Sequence, residues 1–226
     1  MNIRTPLLVS FAAVAAMLAI SVWAWFHLPP GALIPMHWSA DGQPDRFASG
    51  PFALFVGPAV TALIAMLFWV IPWLEPRRVN IAASAKFYRA LWIGVILLLA
   101  AAHGEALYAT LHPGASTGTI VFATVCLLII VVGNYLGKTR SMFLVGIRTP
   151  WTLTSEYSWQ RTHSLAGKLF MASGALGFVA VITLSTKLAA HIFLYALLLS
   201  VVLSVIASYF YWRRDPTRHS SDSVPE

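Results

Sequence analysis

Charge is what this chain has least of. Only 10% of its 226 residues are Asp, Glu, Lys or Arg, and 58% are hydrophobic. An ordinary soluble domain is about a quarter charged. Polar surface is therefore too scarce to cover a water-soluble globule of this size. Cysteine is nearly missing as well. The single Cys126 lies in an apolar run, which rules out an intrachain disulfide and leaves a small packing residue. Acids are few, 8 Asp plus Glu against 15 Lys plus Arg. There is no His-Glu-x-x-His motif, no internal repeat and no separate soluble domain. These absences leave a polytopic membrane protein, with a mean hydropathy of +0.75.

Six runs are long enough to span a hydrocarbon core, which takes about 20 apolar residues. They are Leu7–Trp25, Phe52–Leu74, Ala90–Leu111, Gly118–Gly137, Leu169–Ser185 and Ala189–Trp212. The first lacks a small-x-small cleavage site and is followed by five more, so it reads as a span and not as a signal peptide. All Lys and Arg except Arg46 and Lys187 fall on one side of this arrangement. Such a bias predicts that side, with both termini, to be cytoplasmic. The net charge of +7 is then topology, and no nucleic-acid partner is needed to explain it. Trp23, Trp25, Trp69, Trp73, Trp92, Tyr108, Tyr135, Tyr209, Tyr211 and Trp212 fall near span ends and read as interfacial anchors. Residues 213–226 lack apolar periodicity and read as a disordered cytoplasmic tail.

Two polar stretches interrupt the apolar runs. The outer one, 27–50, is punctuated by Pro and Gly, with a turn signal at Asp41-Gly42. His37, Asp41 and Asp45 have the chemistry for a divalent metal, but no fixed ligand spacing. The competing reading makes Asp41 and Asp45 turn-stabilising acceptors, with His37 and Trp38 at the interface. Within the third span lies the one formal charge of any span core, Glu105, about 9 Å below the span's outer end. An intramembrane carboxylate faces a partner or a cavity. A polar pocket under the outer loop, with Glu105 beside Tyr108 and reaching His37 or Arg46, is one reading; snorkelling to the interface is the other. His103, two residues away, points to a different side of the helix.

The inner stretch, 138–164, is richer. Gly146 frees a turn, Pro150 holds Thr149 extended, and Thr152 or Thr154 can cap a helix that carries Glu156 in its first turn. The helix is expected to start near Ser155 and run into the fifth span. From there to Ser185 is roughly 46 Å, longer than a core of about 30 Å, so two turns must project. Trp159, His163 and Gly167 share one face of that stub. Arg148 is placed to hold a lipid phosphate or Glu156, and Lys168 suits the headgroup layer. These residues form either a structural lock or a binding surface, the lock being favoured.

The motifs resemble a known family. Gly146-Ile-Arg-Thr-Pro-Trp-Thr-Leu153, then Trp159, Thr162-His163 and Gly167-Lys168-Leu-Phe170, is similar to the SdpI signature. Ile34-Pro-Met-His-Trp38, Gly42 and Pro44-Asp45 resemble a bacterial membrane domain of unknown function that accompanies SdpI at its N-terminus. The resemblance implies a multi-pass protein of the bacterial inner membrane. It also implies immunity to a secreted toxic peptide and the holding of a transcriptional repressor at the membrane when toxin binds. It supplies no catalytic residues and no cofactor.

The expected fold is all-α with six transmembrane helices. Residues 1–74 form a two-span unit with an outer loop, and 75–212 a four-span unit. The expected function is ligand binding outside through His37, Trp38, Asp41, Asp45, Glu105 and Tyr108. The bound state would be passed inward through Arg148, Thr149, Pro150, Trp151, Trp159, His163 and Lys168. A small transporter is the alternative, although the spans show no paired broken helices. A membrane metalloenzyme is weaker still, because His163 lies across the bilayer from any outer site.

Overall fold

The computed structural model describes residues 2–112 and 117–219. Among them are six helices long and apolar enough to cross a membrane. These are α1 (Arg4–His27), α2 (Gly50–Leu74), α4 (Ala85–Leu111), α5 (Thr119–Leu136), α7 (Glu156–Thr183) and α8 (Thr186–Arg213). Two short helices, α3 (Arg78–Ala83) and α6 (Pro150–Thr154), lie in the connections at one end. At the other end β1 (Ile34–Trp38) and β2 (Pro44–Ala48) pair as an antiparallel hairpin. The six expected spans are therefore all present. The hairpin is an addition to the all-α expectation, built where the loop was read as stiff.

The spans form two layers joined through α4. On one side α4 is tied to α1 and α2: Trp92 Nε1 donates to Ser10 Oγ at 3.0 Å, and Tyr88 Oη donates to the Phe68 carbonyl at 2.5 Å. Phe68 also stacks on Trp92, ring centroids 5.6 Å apart. Trp92 is thus a fully buried core residue and not the interfacial anchor expected of it. Ser10 supplies the polar partner that lets its indole leave the headgroup layer, since a buried N–H must be satisfied. Trp23, Trp25, Trp69 and Trp73 do stay on the surface.

On the other side α5, α7 and α8 pack side by side. Gly133 of α5 faces Gly167 of α7 so closely that a Cβ on either would lie 2.6 Å from the other's carbonyl oxygen. Gly137, one turn on, abuts Ser164 in the same way. Small residues at such a seam let two backbones touch, which is how helices associate when lipid removes the hydrophobic drive between them. Between α7 and α8 the contact is a serine ladder, with Ser173 Oγ 2.9 Å from Ser200 Oγ.

Helix α7 begins beside Ser155, as expected, but its cap is Ser155 itself and not Thr152 or Thr154, which lie in the preceding α6: Ser155 Oγ accepts from Ser158 N at 2.9 Å. Its 28 residues run about 42 Å, longer than a hydrocarbon core of about 30 Å. The segment before it is not all loop, because Thr149 caps α6 through a reciprocal pair with Thr152. The tail expectation needs correction for residues 213–219. Asp215 is buried, accepts from Ser155 Oγ at 2.5 Å, and precedes a 3-10 helix over Pro216–His219. A short polar segment can be ordered without apolar periodicity when a carboxylate ties it down. Residues 220–226 lie outside the described ones.

Replacing Gly167 by Val should force α5 and α7 apart at a cost of about 1–3 kcal/mol. Thermal unfolding of the detergent-solubilised protein should show a lowered midpoint; an unchanged midpoint would contradict the close seam.

Candidate functional site

Two polar stations stand at opposite ends of the bundle. The one at the end expected to face outward is the hairpin and what it sits on. The Asp41 carboxylate accepts from Ser39 Oγ and, at 3.1 Å, from Gln43 N, and Gly42 takes φ +77° in the turn. These hydrogen bonds, the Ser39 hydroxyl first, hold the Asp41 pKa below the ordinary carboxylate value. Asp41 is therefore a turn residue. His37 Nδ1 lies 2.6 Å from Asp45 Oδ1 on the exposed face of the strands. Among the described residues no three His, Cys, Asp or Glu gather into a metal-binding group. Trp38 turns inward and its Nε1 donates to Thr117 Oγ1 at 3.0 Å, seating the hairpin on the α4–α5 connection.

Glu105 does not contact His37 or Arg46. Its Oε1 accepts from Gly118 N at 2.6 Å and Ile120 N at 3.3 Å, and its Oε2 from Val121 N at 2.9 Å. It caps the start of α5 from the neighbouring helix. The first N–H groups of a helix have no partner within it and carry the positive end of its dipole. A carboxylate supplied across the gap satisfies both needs. Tyr108, expected beside Glu105, instead stacks on His112 at the surface, centroids 4.3 Å apart.

The pocket under the hairpin exists, with His103 in place of Glu105. It is a cavity of about 210 Å³ lined by β1, α2 and α4, including Trp38, Gly57, Thr61, Ala102 and His103. His103 Nε2 is 3.0 Å from Ser21 Oγ, which itself donates to the Leu54 carbonyl at 2.7 Å. The sequence placed His103 on a different face from Glu105, which is correct, but could not say which face met the hairpin.

The station at the opposite end, expected to face inward, is built on a second buried carboxylate that sequence reading missed. Glu75, wholly buried after α2, accepts from Arg77 N (3.0 Å), Phe143 N (2.8 Å) and Leu144 N (2.8 Å). Arg77 donates to Ser141 Oγ and, at 2.9 Å, to the Leu153 carbonyl; Asn80 Nδ2 donates to the Ser141 carbonyl at 2.7 Å. The α2–α4 connection thus clamps the segment after α5. A lone acid among the basic residues of 75–78 was the available signal.

Beneath this clamp lie Trp159 and His163, stacked with centroids 3.9 Å apart and fully buried. Gly146, at φ +123°, crosses directly over them; a Cβ there would sit 2.6 Å from the Trp159 ring. Ile147 N donates to His163 Nε2 at 2.9 Å, so Nε2 carries no proton, and Nδ1 donates to the Trp159 carbonyl at 2.8 Å. The imidazole is neutral and both nitrogens are committed. Trp159 Nε1 donates to the Thr139 carbonyl at 3.2 Å. Thr149 Oγ1 is 3.1 Å from Ser208 Oγ, Pro150 opens α6, and Trp151 meets Tyr209 edge to face, centroids 5.2 Å apart. Arg148 is exposed and donates to the Phe143 carbonyl at 3.2 Å, while Glu156 lies 3.8 Å from Arg140 instead. Lys168 is exposed on α7.

Fold and stations together define a class: a six-span helical membrane protein with a capped hairpin end and a polar lock at the opposite end. Residues 138–212 match the SdpI/YfhL protein family, and residues 12–62 match a domain of unknown function (DUF1648). The chain is 25% identical over 211 residues to the immunity protein SdpI of Bacillus subtilis (strain 168), covering 92% of this chain and 96% of that one. The resemblance read from the motifs therefore holds, and the chain is a multi-pass bacterial membrane protein. No solved structure matches it.

Replacing Glu75 by Gln should leave buried N–H groups facing an amide, costing about 1–3 kcal/mol. Limited trypsin digestion should then cut at exposed Arg148 faster than in the wild type; equal rates would contradict the clamp. The Asp215 anchor should be pH-sensitive. Burial raises its pKa, but the hydrogen bonds from Ser155 and Thr217 outweigh this and leave it below its ordinary value. A depressed folded pKa stabilises above the ordinary value near 3.9 and is lost as pH falls through the folded one. Protease access to the C-terminal segment should stay constant from pH 7 to about 4.5 and rise only at lower pH.

Proposed function

We propose that this chain is a membrane immunity protein, a binding and signalling device and not an enzyme. Its outer hairpin and the cavity beneath it receive a secreted peptide toxin, and its inner station passes the bound state to a cytoplasmic partner such as a transcriptional repressor. The observation that carries this reading is the end-to-end match to an immunity protein, which spans both stations. The basic end, with both termini, faces the cytoplasm, as the Lys and Arg distribution favours.

The connectivity supports a route between the stations. Trp38 seats the hairpin on Thr117, one residue before the amide that Glu105 holds. Helix α5 starts there, packs along α7 through the Gly133–Gly167 contact, and ends at the clamped inner segment. A shift of the hairpin thus bears on the start of α5 and, through it, on the lock. Within the lock Trp159, His163 and Thr149 hold position, and the exposed Arg148 and Lys168 are the groups left to meet a partner or headgroups.

The test is survival. Sensitive cells lacking their own immunity gene, challenged with the toxic peptide of sibling cells, should survive better when they express this chain. Trp38→Ala should lower that protection with equal protein in the membrane. Absence of protection by well-inserted wild-type chain would sink the immunity reading.

A further inference from the structure

The cavity under the hairpin has a one-sided chemistry. Three of its lining side chains bear polar hydrogens, and each hydrogen is already used. Trp38 Nε1–H goes to Thr117 Oγ1 at 3.0 Å. Thr61 Oγ–H goes to the Gly57 carbonyl at 2.8 Å. Ser21 Oγ gives its only proton to the Leu54 carbonyl, so it can only accept from His103, and the His103 proton sits on Nε2. His103 Nδ1 is then a bare acceptor. It has no hydrogen-bond partner among the described residues, and it lies against Gly57, where a Cβ would come within 2.7 Å of it. His103 is only 7% exposed, and it and Gly57 both line the cavity.

The remaining walls are apolar: Pro35, Met36, Val56, Val60, Leu99 and Ala106 among them. The volume, about 210 Å³, exceeds the roughly 150 Å³ of an apolar cavity that takes up benzene. Water is a poor filling, because a buried water wants about three polar partners and the lining side chains offer acceptors only at Thr61 and His103. An anion is excluded, since the lining side chains have no free donor to meet it. Met36 and Val60, 37% and 41% exposed, lie at the mouth, so the cavity opens sideways between α2 and α4 as well as under β1. Val60 is ten residues into α2, about 15 Å along the helix, so the opening reaches the outer half of the bilayer.

We infer that this cavity is a binding site for a neutral aromatic ring bearing one N–H or O–H donor, with His103 Nδ1 as the acceptor: the indole of a tryptophan side chain on a peptide lying at the outer interface. The peptide as source rests on the immunity reading above; the ring chemistry does not.

The probes are indole and its isostere benzofuran, which has the same shape and no donor. Binding is measured by ligand-observed NMR on the full chain in nanodiscs, against empty nanodiscs. Indole should bind about three- to tenfold more tightly than benzofuran, as one hydrogen bond is worth. His103→Leu should remove that preference, and Val60→Trp, at the lipid-facing mouth, should abolish binding of both. Equal affinities in the wild type, no binding of either, or unchanged binding in Val60→Trp would each overturn the assignment. Should His103→Leu fail to fold, the wild-type comparison and Val60→Trp still decide. A chain that protects cells yet does not discriminate the probes defeats this inference alone. One that discriminates but does not protect defeats the immunity reading alone.

Discussion

A buried carboxylate held by the backbone amides of a neighbouring segment is the interaction on which both ends of this protein depend. Lipid supplies no water to satisfy a helix start or a loop, so each free N–H near the bilayer needs a protein acceptor. Glu105 meets that need for α5 at the hairpin end, and Glu75 for the segment at 143–144 at the opposite end. Each belongs to one element and serves another. The contacts are therefore tertiary, and the bundle cannot rearrange at either end without breaking them. This is why the chain's few acids matter more than its many bases.

Around these two points the rest of the structure follows from close approach. Gly133 and Gly167 bring α5 and α7 backbones together; Gly146 lets the inner segment cross the Trp159–His163 stack. With the backbone that near, His163 must accept from Ile147 and so must be neutral. Adding a proton to Nε2 would turn an acceptor into a second donor facing Ile147 N–H. The most motif-like residues of the chain thus act on the backbone around them, and the exposed ones, Arg148 and Lys168, are the few left to act outward.

Much of the fold was legible in the sequence because hydrophobic length is a property of the chain itself. The six spans, the start of α7 near Ser155 and the Trp159–His163–Gly167 face could be read one residue at a time. What could not be read was which span lies beside which. Glu105 was visible as an expensive charge, yet its partners at 118–121 are set by how α5 returns alongside α4. Glu75 and Asp215 were overlooked for the same reason: each sits next to basic residues that suggest a plain interfacial segment, while their partners are about 60–70 residues away in sequence. Trp92 was misplaced because its partner Ser10 lies on α1, far along the chain. The outer hairpin was read as a stiff loop, since five-residue strands broken by Pro35 and Pro44 carry little periodicity.

The tertiary role of Glu75 is most directly tested by amide hydrogen exchange on the protein in nanodiscs, followed at Phe143 and Leu144. With the carboxylate in place these two amides should exchange at least about a hundredfold more slowly than an unprotected loop, the protection expected of an opening free energy near 3 kcal/mol. In Glu75→Ala the protection should vanish there while amides in α1 keep theirs. Fast exchange at Phe143 and Leu144 in the wild type would contradict the clamp and, with it, the view that the inner segment is locked to the bundle.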